Sequence, residues 1–187
     1  MATDSSFPIA VPQDGLDTAR DVLRHTFGHT DFRGLQAGVI GEILRGRSAL
    51  AVLPTGGGKS LCYQIPSLVR PGLGLVVSPL IALMADQVSA LQQSGVAAEK
   101  LDSNTALDAR DDIWRRIEGG TLDLLYLSPE GLMQPSMLER LSRLPLALVA
   151  IAIASHARSS AWRQSASAAR RTGACSNWWP SGRSDPA

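Results

Sequence analysis

The sequence predicts an α/β fold, with a mostly parallel sheet flanked by helices. Two observations carry this expectation. The strand-like segments at residues 74–78, 122–127 and 146–151 are almost wholly apolar instead of alternating, as strands covered on both faces are. Between them lie segments whose apolar residues recur at helical spacing, and strands alternating with helices assemble into parallel sheets.

The elements follow in order. A helix is expected over residues 15–27, with Leu16, Ala19, Val22, Leu23 and Phe27 inward and Asp14 as its cap. A second covers residues 34–44, burying Leu35, Val39, Ile40, Ile43 and Leu44. Residues 48–53 read as a short apolar strand, followed at once by glycines and then by a helix from Lys59 to about Leu68. Residues 74–78 form the next strand, and Pro79 suits the first position of a helix carrying Leu80, Leu83, Met84, Val88 and Leu91 as far as Gly95. A weaker strand at residues 97–101 leads to a helix over residues 105–118, capped by Ser103 or Asn104 and stopped by Gly119 and Gly120. Strands at residues 122–127 and 146–151 complete the pattern.

Composition narrows the class. The 187 residues suffice for one α/β domain with a core. The formal net charge of +1 does not announce a nucleic-acid binder, so any such contact must be local. Two cysteines, Cys62 and Cys175, are too few for a disulfide framework and suit a reducing compartment. Residues 1–15 hold no basic segment followed by an apolar run, and the longest apolar run, residues 144–154, is too short to span a bilayer. A cytoplasmic location is therefore expected, nucleoid-associated if the source is bacterial, with no membrane partner.

The most specific signal is Leu53-Pro54-Thr55-Gly56-Gly57-Gly58-Lys59-Ser60, between an expected strand and an expected helix. Glycines let backbone amides wrap closely around phosphate, and a helix start adds positive potential. Lys59 would hold the outer phosphates, and the Ser60 hydroxyl would ligate Mg2+. Leu53 stands where the general phosphate-loop pattern has its first glycine. Upstream lies Phe27-Gly28-His29-Thr30-Asp31-Phe32-Arg33-Gly34-Leu35-Gln36.

In these two stretches the chain resembles RecQ-type DNA helicases of superfamily 2. Residues 60–66, 76–87 and 124–130 continue the likeness, which covers about residues 16–151. The resemblance implies a RecA-like phosphate-loop NTPase lobe, incomplete at its C-terminal end, with ATP and Mg2+ as cofactors and single-stranded or partly duplex DNA as partner. It implies 3′–5′ DNA unwinding in repair or recombination. It makes His29, Arg33 and Gln36 the adenine-recognising residues, with Gln36 on the base edge, Arg33 flat against the base and His29 at a stacking position. Thr55, Gly56, Gly57, Gly58, Lys59 and Ser60 would bind ATP, with Lys59 the catalytic cation. Ser78, Pro79, Ser128 and Pro129 would touch DNA. Cys62 becomes a buried helix residue in place of a reactive thiol.

The resemblance fails after Ile151. Hydrolysis needs an acid in the metal shell and a carboxylate to position water. The family carries both directly after this strand, whereas here Ala152-Ile153-Ala154-Ser155 follows, and His156 nearby is incidental. Residues 1–143 hold 13 Lys and Arg against 16 Asp and Glu, while residues 144–187 hold five arginines and one acid, Asp185. Trp162, Trp178 and Trp179 also lie there. Loss of acids, change of composition and loss of period begin together, which favours a slip of the reading frame over point substitutions. The expected division is an extension at residues 1–14, a partial ATP-binding lobe at residues 15–151 and a disordered, non-family tail at residues 152–187. The corresponding expectation for function is a helicase fragment unable to hydrolyse ATP; the alternative is a non-catalytic module that binds ATP or single-stranded DNA.

Overall fold

The computed structural model describes residues 13–53 and 57–152; the expected N-terminal extension, apart from its last two residues, and the tail beyond Ala152 lie outside them. Seven helices and four strands are formed among the described residues: α1 (Gln13–Phe27), α2 (Gln36–Leu44), α3 (Leu61–Val69), β1 (Leu73–Val77), α4 (Ile81–Gln93), β2 (Ala98–Leu101), α5 (Leu107–Glu118), β3 (Leu124–Leu127), α6 (Pro129–Leu132), α7 (Pro135–Ser142) and β4 (Leu146–Ile151).

The four strands form one parallel sheet in the order β2-β3-β1-β4. The pleat sends successive side chains to opposite faces. Leu73, Leu75, Leu125 and Leu127 therefore meet Ile113, Trp114 and Ile117 of α5 and Leu141 of α7 on one face. Val76, Leu124 and Tyr126 meet Met84, Val88 and Leu91 of α4 on the other, where Tyr63 and Leu68 of α3 also pack. Both faces of the central strands β1 and β3 are covered, which is why those two read as unbroken apolar runs. A smaller core joins α1, α2 and α3 through Ala19, Leu23, Ile40 and Ile65.

Gly74 lets α3 seat directly on the sheet. A Cβ there would lie 2.3 Å from the Ser67 hydroxyl oxygen, closer than any side chain permits. Ser67 is itself held by donating to the Tyr63 carbonyl one turn earlier.

Several expectations are corrected. Residues 48–53 form no strand; Leu50 is 94% and Val52 85% exposed. A strand needs a neighbour to satisfy its backbone, and none of the described strands lies beside this segment. Helix α1 starts at Gln13, one residue before Asp14. Pro79 precedes α4 without entering it, since Leu80 is extended and the helix opens at Ile81. Neither Ser103 nor Asn104 caps α5, which starts after an extended Ala106 with no side-chain cap. Instead Asp102 organises that loop, accepting from the Asn104 amide and the Thr105 hydroxyl and pairing with Lys100. Helices α6 and α7 were not foreseen; each opens with a proline in its first turn. No helix among the described residues is long and apolar enough to cross a membrane.

Candidate nucleotide site

The turn between α1 and α2 is built by its own polar groups. Gly28, at φ +68, ends α1 with its amide on the Arg24 carbonyl. The Asp31 carboxylate accepts from the Phe32 amide. The Gln36 amide donates to the Arg33 carbonyl at 3.1 Å, and Gln36 Oε1 accepts from the Arg33 amide at 2.8 Å. This backward reach over three residues closes the turn that leads into α2, whose N-cap position, Leu35, makes no side-chain cap bond.

The other end of the Gln36 carboxamide reaches the glycine turn. Nε2 donates to the carbonyls of Gly58 at 3.1 Å and Gly57 at 3.4 Å. Gly58 adopts φ +66, and a Cβ on it would lie 2.2 Å from Gln36 Nε2. The two stretches singled out by their motifs are thus joined through a side chain that is only 2% exposed. Beside this junction lies a cleft of about 250 Å³ lined by Leu23, His29, Asp31, Arg33, Gln36, Gly58 and Leu61. Whole small-molecule sites are about 300–1000 Å³, so this space suits one planar ring system with the rest of a ligand outside it. Leu23, Asp31 and Leu61 were not anticipated as lining residues. Leu61 could have been found from its place one residue after Ser60.

Lys59 and Ser60 form a turn before α3, two residues later than the expected helix start. Lys59 Nζ donates to the Leu53 carbonyl at 2.8 Å, which brings the cation back across the glycine turn. Ser60 accepts through its carbonyl from the Gln64 amide at 2.9 Å, opening the helix. Thr55 and Gly56 lie outside the described residues. Cys62 is buried in α3, and burial pushes its thiol pKa up, as for a structural thiol.

The expected DNA-side residues sit where parallel strands end. Ser78 follows β1 and Ser128 follows β3, and the Ser78 amide donates to the Leu127 carbonyl at 3.0 Å. Both serines are buried. The Ser78 hydroxyl accepts weakly from the Leu80 amide at 3.4 Å, and the Ser128 hydroxyl caps α6 by accepting from the Gly131 amide at 3.1 Å. Their side chains therefore shape the turns, with Pro79 exposed and Pro129 half-buried beside them. Ligands of parallel α/β sheets bind at this carboxyl edge.

The donor set fits an adenine nucleotide: a buried carboxamide at a cleft, a cradle that a Cβ would fill and a lysine at the turn. It does not by itself hold magnesium. No group of three or more His, Cys, Asp or Glu suited to a metal occurs among the described residues. Mg2+ is ordinarily bound through carboxylates together with substrate phosphates and water, so Ser60 could serve only alongside a bound triphosphate.

Residues 33–152 match the DEAD/DEAH box helicase family. The chain is 46% identical over 134 residues to an ATP-dependent DNA helicase RecQ of Haemophilus influenzae, covering 72% of this chain and 22% of the relative. It is 45% identical to the RecQ helicase of Pasteurella multocida, over 72% of this chain and 21% of the relative. A probable ATP-dependent DNA helicase RecS of Bacillus subtilis is 42% identical over 71% of this chain and 26% of its own length. The chain thus spans about a quarter or less of these relatives. The chain therefore belongs to the DEAD/DEAH box helicases, and within them its helicase region is of the RecQ type.

Proposed function

We propose that this chain binds ATP and single-stranded DNA in the manner of the first lobe of a RecQ-type, 3′–5′ DNA helicase, and that it does so without hydrolysis. The observation that carries the reading is the Gln36 carboxamide joined to the Gly58 carbonyl beside a cleft that includes His29 and Arg33. Adenine would enter this cleft with its edge on Gln36, which can both donate and accept. The Arg33 plane and the His29 ring would lie against the base. Amides of the glycine turn and the Lys59 ammonium would hold the phosphates, and bound magnesium would neutralise phosphate charge beside the Ser60 hydroxyl. DNA phosphate would meet backbone amides and the helix starts after Ser78-Pro79 and Ser128-Pro129, the buried serines acting by shaping those turns.

Binding without turnover follows from chemistry. Ala152-Ile153-Ala154-Ser155 follows β4, so no carboxylate stands there to position water or complete the metal shell. The same departure supports a frame slip near residue 152 as its origin, which the nucleotide sequence around codons 140–190 tests directly.

The function is tested with a fluorescent ATP analogue and purified, monodisperse chain. Saturable binding that Lys59→Ala weakens tenfold or more, about 1.4 kcal/mol, is expected, with no steady phosphate release when single-stranded DNA is added. Absence of adenine-nucleotide affinity in well-folded protein defeats the assignment. Steady ATPase activity stimulated by DNA defeats the non-catalytic part of it.

A further inference from the structure

The Gln64 carboxamide is a buried polar group, outside the nucleotide cleft, that joins three elements of the fold. Gln64 lies on α3 and is only 5% exposed. Both Nε2 hydrogens are engaged, one by Gln87 Oε1 of α4 at 3.0 Å and one by the Tyr126 hydroxyl of β3 at 3.1 Å. Tyr126 is fully buried. The Tyr63 hydroxyl also meets that of Tyr126, and burial pushes both phenols' pKa values up, so each remains a neutral hydrogen-bonding group.

Each arm leads to a different ligand-facing turn. The Gln64 backbone amide bonds the Ser60 carbonyl at 2.9 Å, one helical turn from Lys59 and Ser60. Gln87 belongs to the helix that opens two residues after Pro79. Tyr126 stands two residues before Ser128, the cap of α6. The remaining pair of turns is already joined, through the Ser78 amide on the Leu127 carbonyl. We propose that Gln64, with Tyr126 and Gln87, positions the phosphate turn relative to the two DNA-side turns, so that occupancy of one changes affinity at the other.

This relay rests on the binding function proposed above and on the difference between hydrogen bonds and apolar packing. Apolar contacts are non-directional and tolerate sliding. Two hydrogen bonds from one planar amide fix its plane, and breaking either strands a buried polar group. Helix α3 is also seated on β1 where Ser67 meets Gly74, three residues beyond Gln64. A movement of the Lys59–Ser60 turn around phosphate therefore reaches Gln64 before that seat. Gln64 must then carry Tyr126 and Gln87 with it or lose its bonds.

The test measures coupling in the full 187-residue chain. A fluorescent ATP analogue is titrated with and without saturating oligothymidylate, and the ratio of the two affinities is the coupling factor. The parent is expected to show a factor of about five or more. Tyr126→Phe deletes one hydroxyl and keeps the ring, and Gln87→Leu removes the other acceptor. In both, the factor should approach one while each ligand's separate affinity stays within about twofold. Gln87→Glu restores the acceptor and should restore coupling. Thermal midpoints are recorded in parallel, because a merely structural role lowers the midpoint and leaves the factor unchanged. That result, or a parent that binds both ligands independently, overturns the relay and leaves the binding function standing. A parent with no affinity for the ATP analogue removes both.

Discussion

Gln36 donates to the Gly58 carbonyl at 3.1 Å across 22 residues of sequence, while its own oxygen accepts from the Arg33 amide. One carboxamide thus holds both the α1–α2 turn and the glycine turn. On the proposed function, a base that took hydrogen bonds from Gln36 would compete with the Gly57 and Gly58 carbonyls, so adenine recognition and the shape of the glycine turn would be linked through this side chain. The linkage gives a sharper expectation than simple loss of affinity.

Gln36→Leu keeps much of the volume and removes both functions. Binding of ATP should fall by about tenfold or more, the value of one to two lost hydrogen bonds. Preference for ATP over GTP should fall with it, since the base edge is no longer read. Competition titrations with the two nucleotides check this. Unchanged preference would place base recognition elsewhere.

Gly58→Ala attacks the same junction from the other side. The position has φ +66, and the added Cβ would lie 2.2 Å from Gln36 Nε2. A left-handed backbone alone costs about 1–2 kcal/mol for an L-residue, and the displaced Gln36 adds to it. Urea unfolding should show that loss together with weakened nucleotide binding. In the Gln36→Ala background the clash disappears but the backbone strain stays, so the two substitutions should be less than additive.

Asp102 provides a pH-dependent contribution to stability. Burial would raise its carboxyl pKa, but the Lys100 ammonium, the Asn104 amide and the Thr105 hydroxyl outweigh this and hold it below the ordinary carboxylate value. The unfolded chain, with an Asp pKa of about 3.9, therefore takes up the proton first. The contribution is fully present above that value and is lost as pH falls through the lower folded-state pKa. Asp102→Asn should cost stability at neutral pH and flatten the decline below about pH 4. Denaturant midpoints measured across that range test the sign; a parallel decline in both proteins would exclude Asp102 as the source.

How far the sequence revealed these features depends on how local their causes are. Strands β1 and β3 were legible because burial on both faces leaves an unbroken apolar run; β4 was legible from a similar apolar run, although only Ala147 in it is buried. The closeness of Gln36 to Gly58 was legible only through motif spacing, since the hydrogen bond joining them crosses 22 residues. The Gln64–Tyr126 bond crosses 62 residues and has no sequence signature. Pro129 and Pro135 did signal α6 and α7, but helices of four and eight residues leave too little periodicity to notice. Residues 48–53 failed as a strand because apolar composition supplies side chains for a core and cannot supply a hydrogen-bonding neighbour.

The same shortage of neighbours sets the last expectation, which concerns solubility. Among the described residues β4 is bonded only to β1, so its other side presents unpaired backbone groups. Its sequence, Leu-Ala-Leu-Val-Ala-Ile, carries no charge, and Val149 is 39% and Ile151 72% exposed. An uncharged apolar edge is a template for pairing with another chain. Ile151→Lys puts a charge on that edge at a site exposed enough for the change to cost no more than about 0.5 kcal/mol. The variant should remain clear of light scattering at severalfold higher protein concentration than the parent, with the same unfolding midpoint. Ala147→Lys is the contrasting control: Ala147 is buried on the same strand, so that charge should unfold the protein and increase scattering. Equal scattering by the parent and Ile151→Lys would mean that association proceeds through another surface, such as the exposed side chains of Leu50 and Val52.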